Sequence, residues 1–100
     1  MALGGLIATL RVARAAFTQG VPVVVTTMLE GVYGRTAALH VAAALQAAAL
    51  SALAQGRVTI PACGLATGHL LGTDLVPAPP VPASGMLRVP IGVGLGIVAR

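Results

Sequence analysis

The chain has no lysine and no tryptophan, and its cations are six arginines: Arg11, Arg14, Arg35, Arg57, Arg88 and Arg100. Its acids are Glu30 and Asp74 alone, and its aromatics are Phe17 and Tyr33 alone. Each scarcity removes a class of function. Nucleic-acid binding needs clustered cations, often with stacking aromatics, and these arginines are scattered, so no nucleic-acid partner is expected. An oxygen-ligated metal site needs several carboxylates, which Glu30 and Asp74 cannot supply, so no metal ligands are expected in this chain. Cys63 is the only cysteine. That excludes a disulfide framework and a cysteine-based zinc site, and it is compatible with a reducing cytoplasm. Arg11 and Arg14 follow the apolar start rather than precede it, the reverse of a secretory signal.

What is present is apolar. Hydrophobic residues make up 57% and charged residues 8%, with a mean hydropathy of +0.97. One hundred residues allow one small domain with a modest core, and such a domain needs a charged skin that this composition does not provide. Either the chain enters a membrane, or its apolar faces are covered by other protein. Residues 36–54 approach the length of a membrane span. They are chiefly alanine, however, with His40, Gln46 and Ser51 among them, and alanine is a strong helix former but only weakly lipophilic. No membrane span is expected. Protein cover is the better account.

Taken in order, residues 1–5 suggest a strand end and a glycine turn. A helix is expected over residues 6–19, with Leu6, Leu10, Ala13 and Phe17 on one face and Ile7 widening the stripe. Arg11, Arg14 and Thr18 fall on a solvated face, and Gly20 and Pro22 end the helix. Residues 21–25 are β-branched and continuous, as in a parallel strand buried on both faces. Gly31 and Gly34 relax the backbone after it, and a second helix is expected over residues 35–55. The next strand comes from Val58-Thr59-Ile60 or from Ala62-Cys63-Gly64-Leu65, followed by a brief turn or helix carrying His69 and Asp74. The prolines of residues 76–82 favour polyproline II. Ser84-Gly85 reads as a turn, and residues 86–89 as an edge strand. Alternating helix and strand means βα units and a parallel sheet.

No catalytic set is complete. His40 and His69 are far apart in sequence and have no second ligand at helical spacing. Neither Ser51 nor Ser84 sits in a Gly-x-Ser-x-Gly elbow. Gly92-x-Gly94-x-Gly96 has the wrong spacing for a dinucleotide loop and no helix after it, which favours a tail turn. Thr26, Thr27 and Met28 stand at the C-terminal end of the first strand, the edge at which parallel α/β architectures bind ligands. Equally, they could simply end a strand, with Glu30 capping or solvated. The stretch Cys63-Gly64-Leu65-Ala66-Thr67-Gly68 occupies the matching edge of the next strand, and its small residues leave room for a ligand.

These motifs resemble a known family. Thr27-Met28-Leu29-Glu30 followed by Gly34-Arg35-Thr36-Ala37-Ala38-Leu39-His40 resembles the seventh strand and helix of o-succinylbenzoate synthases, in the muconate-lactonizing branch of the enolase superfamily. The stretch from Cys63-Gly64-Leu65 through Gly72-Thr73-Asp74-Leu75 resembles the eighth strand and its turn. Gly85-Met86-Leu87-Arg88-Val89-Pro90 with Gly94-Leu95-Gly96-Ile97 resembles the C-terminal end. Val93 departs from the usual proline, and residues 46–59 run longer than the family pattern.

The resemblance implies an α/β fold: the C-terminal part (helix 6, strand 7, helix 7, strand 8) of a TIM-like (β/α)7β barrel. Residues 1–75 would form that barrel part, and residues 76–100 an extended tail joining the capping domain. It implies Mg²⁺-dependent dehydration through an enediolate in menaquinone synthesis, with N-acylamino acid racemases and dipeptide epimerases as relatives. The family's catalytic lysines and metal carboxylates lie on earlier strands, so Mg²⁺ would be bound by the missing N-terminal part of the barrel. What this chain would supply is the substrate rim: Thr27, Met28 and Leu29, with Gly64 and Leu65 from the eighth strand. The implied partners are a small-molecule carboxylate substrate and the rest of the barrel, in the cytoplasm, and the chain by itself would be inactive. A small membrane-associated protein and an oligomeric α/β interaction module are the alternatives from other classes.

Overall fold

The structure is a computed structural model that describes residues 4–28, 30–53, 62–73, 75 and 79–97. Two helices dominate it: α1 (Leu6–Thr18) and α2 (Val32–Leu53), with a 3₁₀ turn at Gly68–Leu70. α1 ends as its sequence requires. Gly20 takes a positive φ of 72°, its amide donates to the Phe17 carbonyl, and the Val21 amide reaches back to Ala16. That pair of bonds is a Schellman cap, and Pro22 then bars continuation. Leu6, Leu10, Ala13 and Phe17 face the core, while Arg11, Arg14 and Thr18 are exposed. Ile7 does not widen the stripe: it is exposed, on the arginine side of the helix.

α2 is the centre of the molecule. Its first half buries Val32, Arg35, Thr36, Ala38, Leu39, Val41, Ala42 and Leu45, far more than one stripe, as a helix covered on several sides must. Val41 and Leu45 join Ala13 of α1 in the core, and Val23 and Val25 pack against that cluster. On another side the His40 Nε2–H donates to the Leu95 carbonyl at 2.9 Å, fixing the tail against the helix. The many alanines suit both roles, since they favour helix and let neighbours approach closely. α2 begins at Val32, earlier than the sequence suggests. Gly34 lies inside its first turn, where a Cβ would come within 3.1 Å of the Glu30 Cβ. The glycine makes room for the preceding loop instead of loosening it.

Among the described residues there is no regular strand. Residues 21–28 nevertheless alternate in burial with period two: Val23, Val25 and Thr27 point inward, and Val24, Thr26 and Met28 outward. A single parallel bridge joins Thr26 to Gly64, made by Thr27 N–H to the Gly64 carbonyl at 2.9 Å and Gly64 N–H to the Val25 carbonyl at 3.0 Å. The expected first strand is therefore an extended segment covered on one face. The reason is visible at Val24, which is 48% exposed: α1 borders it only across an open cleft. Of the two candidates for the next strand, Ala62-Cys63-Gly64-Leu65 provides the bridge, and Val58-Thr59-Ile60 lies outside the described residues.

In the tail, Ala83 and Met86 exchange two hydrogen bonds of 2.8 and 3.0 Å around Ser84 (φ 53°) and Gly85 (φ 74°). This is a tight two-residue hairpin turn of the primed type. No edge strand follows over residues 86–89. Part of the proline run, residues 76–78, lies outside the described residues. Among the described residues no helix is long and apolar enough to cross a membrane.

Candidate functional site

The C-terminal end of the first extended segment meets that of the second, and Thr27 is where they are tied. It is 8% exposed. Its hydroxyl lies 3.3 Å from the Gly64 carbonyl and 2.8 Å from the Thr67 hydroxyl. Sequence reasoning placed Thr27 and Gly64 on matching edges, and the structure brings them together. It also adds Thr67, whose role depends on a contact across the chain.

The remaining candidates separate. Met28 is 75% exposed and borders a cleft of about 240 Å³ between the first segment and both helices, lined by Thr9 and Val12 of α1 and by Ala38 and Val41 of α2. Leu65 is half-buried and lines a different cleft of about 300 Å³, with Leu39, Ala42, Cys63 and Met86. The period of two puts Thr27 on the buried side of its segment and Met28 on the exposed side. Leu29 lies outside the described residues, as does Asp74.

The loop between Met28 and α2 is folded back on itself. The Met28 amide donates to Glu30 Oε2 at 3.3 Å, and Arg35 Nη1–H donates to the Glu30 carbonyl at 3.0 Å. Glu30 is thus engaged locally. Arg35 is itself buried. A Cβ on Gly68 would lie 2.9 Å from the Arg35 Cζ, so the guanidinium rests directly over that glycine. Sequence reasoning did not single out Arg35 as a site residue. Its place right after Gly34, in a chain with so few charges, is the signal that was there to use.

His40 and His69 both act structurally. His69 Nδ1–H donates to the Ala66 carbonyl at 2.8 Å, and His40 holds Leu95. Among the described residues no group of three or more His, Cys, Asp and Glu could hold a metal ion. A Mg²⁺ site does not fit here, because Glu30 is the one described carboxylate and an oxygen-ligated cation needs several. No chemical step through a metal belongs to these residues.

The comparisons with curated proteins and with solved structures find no match. The sequence model of the family described as Enolase C-terminal domain-like does match, over residues 1–100. On that match the chain belongs to the enolase C-terminal domain-like family, and so to the enolase superfamily.

Proposed function

We propose that this chain is the C-terminal part of an o-succinylbenzoate-synthase-like barrel, supplying substrate rim but not the reacting groups. The observation that carries the proposal is the junction of Thr27 with Gly64 and Thr67. Two segments, bridged in parallel, present their C-terminal ends side by side, and ligands of parallel α/β folds bind at that edge. Met28, exposed beside the junction, offers a flexible apolar surface to an acyl arm. Leu29 and Gly64 complete the proposed rim on this side, and Leu65 would contribute from the other cleft.

The division of labour follows from what is absent. The chain has no lysine, so an ammonium–amine pair for proton transfer next to a carboxylate must come from elsewhere. Mg²⁺, which would stabilise the enediolate, likewise falls to the rest of the barrel. The edge that no described residue pairs is the place for that remainder. The bridge uses the Val25 carbonyl and the Thr27 amide, so Val24 and Thr26 direct their backbone groups to the opposite side. An apolar cleft bounded by Thr9 and Val12 of α1 and by Ala38 and Val41 of α2 borders the same segment.

The test combines the chain with a lysine-bearing barrel portion of a family synthase. The expected outcome is formation of o-succinylbenzoate by the mixture and by neither part alone. Racemisation of an N-acylamino acid in place of the dehydration would reassign the substrate and overturn the synthase reading.

A further inference from the structure

We infer that Arg35 is a positioning residue, a latch that ties the loop after the first extended segment to the turn after the second. A buried guanidinium is costly unless its donors are met, and its flat face needs an equally flat neighbour. Arg35 draws on residues from two different loops. On one side Nη1–H donates to the Glu30 carbonyl at 3.0 Å. On the other its plane lies over Gly68, where a Cβ would come 2.9 Å from Cζ and Nη2 and 3.1 Å from Nε. A side chain at this position would push the guanidinium aside.

The latch reaches Met28 through Glu30. Arg35 holds the Glu30 main chain, and the Glu30 carboxylate accepts from the Met28 amide. It reaches the second loop through Gly68, which opens the turn closed by Leu70 N–H to the Thr67 carbonyl and Leu71 N–H to the Gly68 carbonyl. With the Thr27–Thr67 hydroxyl contact, the two loops are joined at two points, in addition to the one backbone bridge. Side chains therefore add to the backbone bridge in holding the loops together. The inference deepens the proposed rim, whose Met28 the latch would position, but the latch itself is read without any ligand.

The test is amide hydrogen exchange on the full chain, comparing the Met28 loop, the turn at residues 68–71 and α1. Arg35→Ala is expected to speed exchange about tenfold at both loops and to leave α1 unchanged. Gly68→Ala, which keeps Arg35 but displaces it, is expected to speed exchange at the Met28 loop too. Arg35→Lys keeps one donor but has no plane to lay on Gly68, so it should restore protection at the Met28 loop and not at residues 68–71. Exchange that rises only at the Met28 loop in Arg35→Ala would overturn the latch. So would a uniform rise that includes α1. Where Arg35→Ala prevents folding, Gly68→Ala decides, and an unchanged Met28 loop in that variant overturns the proposal. A flat result would leave the rim reading standing, because no substrate enters the measurement, and a failed substrate test would leave the latch standing.

Discussion

Thr26 and Thr27 are neighbours with the same side chain and opposite surroundings, which makes them a natural controlled pair. Thr27 is buried and its hydroxyl has two partners; Thr26 is exposed. Thr27→Val keeps the shape and strands the Thr67 hydroxyl, and it is expected to cost about 1–2 kcal/mol. Thr26→Val should stay within about 0.5 kcal/mol of the parent. Denaturant midpoints of the two variants measure the difference, and equal midpoints would contradict the assignment of the tie. Thr36 gives the opposite case. Its hydroxyl is buried with no hydrogen-bond partner among the described residues, a group that costs about 1–3 kcal/mol when left unmet. Thr36→Val should therefore raise the midpoint or leave it unchanged, and a large loss would reveal a partner for that hydroxyl.

At the scale of elements, the tail depends on backbone geometry more than on burial. Gly96 combines a φ of +76° with a Cβ position 2.8 Å from the Pro90 main chain. Gly96→Ala is thus strained twice and should cost about 1–3 kcal/mol. It should also release the Leu95 carbonyl from His40, read as a shift of the His40 ring resonances. An unchanged ring signal would mean that the tail is held by something other than this turn. The ends of elements show what the sequence could and could not tell. The end of α1 was readable because Gly20 and Pro22 act locally. The start of α2 was not, because Gly34 serves a contact with Glu30 that only the folded loop creates. The valine run read as a strand buried on both faces, and among the described residues it is an extended segment with one face exposed, because a pattern of β-branched residues cannot say whether both faces find cover. The same limit applies to the site. The sequence placed Thr27 and Gly64 on matching edges, and the structure joins the two. Thr67 and Arg35 needed knowledge of which loops touch.

At the scale of the whole molecule, the surface is the main fact. The accessible area is 6677 Å², against roughly 5200 Å² for a compact protein of 9.8 kDa. The radius of gyration is 14.0 Å, against about 13 Å for a compact domain of this length. Much of the excess is apolar: Ile7, Val12, Val24, Met28, Met86 and Ile91 are all about half exposed or more. A surface of this kind invites association or cover. The proposed barrel remainder would cover Val12, Val24 and Met28 along the edge that no described residue pairs. Isolated, the chain is expected to bind an apolar-surface dye strongly and to aggregate as concentration rises. Addition of the complementary barrel portion should suppress the dye signal. A dye-silent, monomeric chain would mean that its apolar faces are already satisfied.

The most direct measurement of the central claim is turnover of the succinyl-hydroxycyclohexadiene carboxylate substrate to o-succinylbenzoate with Mg²⁺ present. It should be run on the 100-residue chain, on the complementary barrel portion, and on their mixture. The account predicts turnover in the mixture alone, reduced when the chain carries Thr27→Val. Turnover by the chain in isolation would contradict it, because a chain without lysine would then be performing the proton transfers assigned to its missing partner.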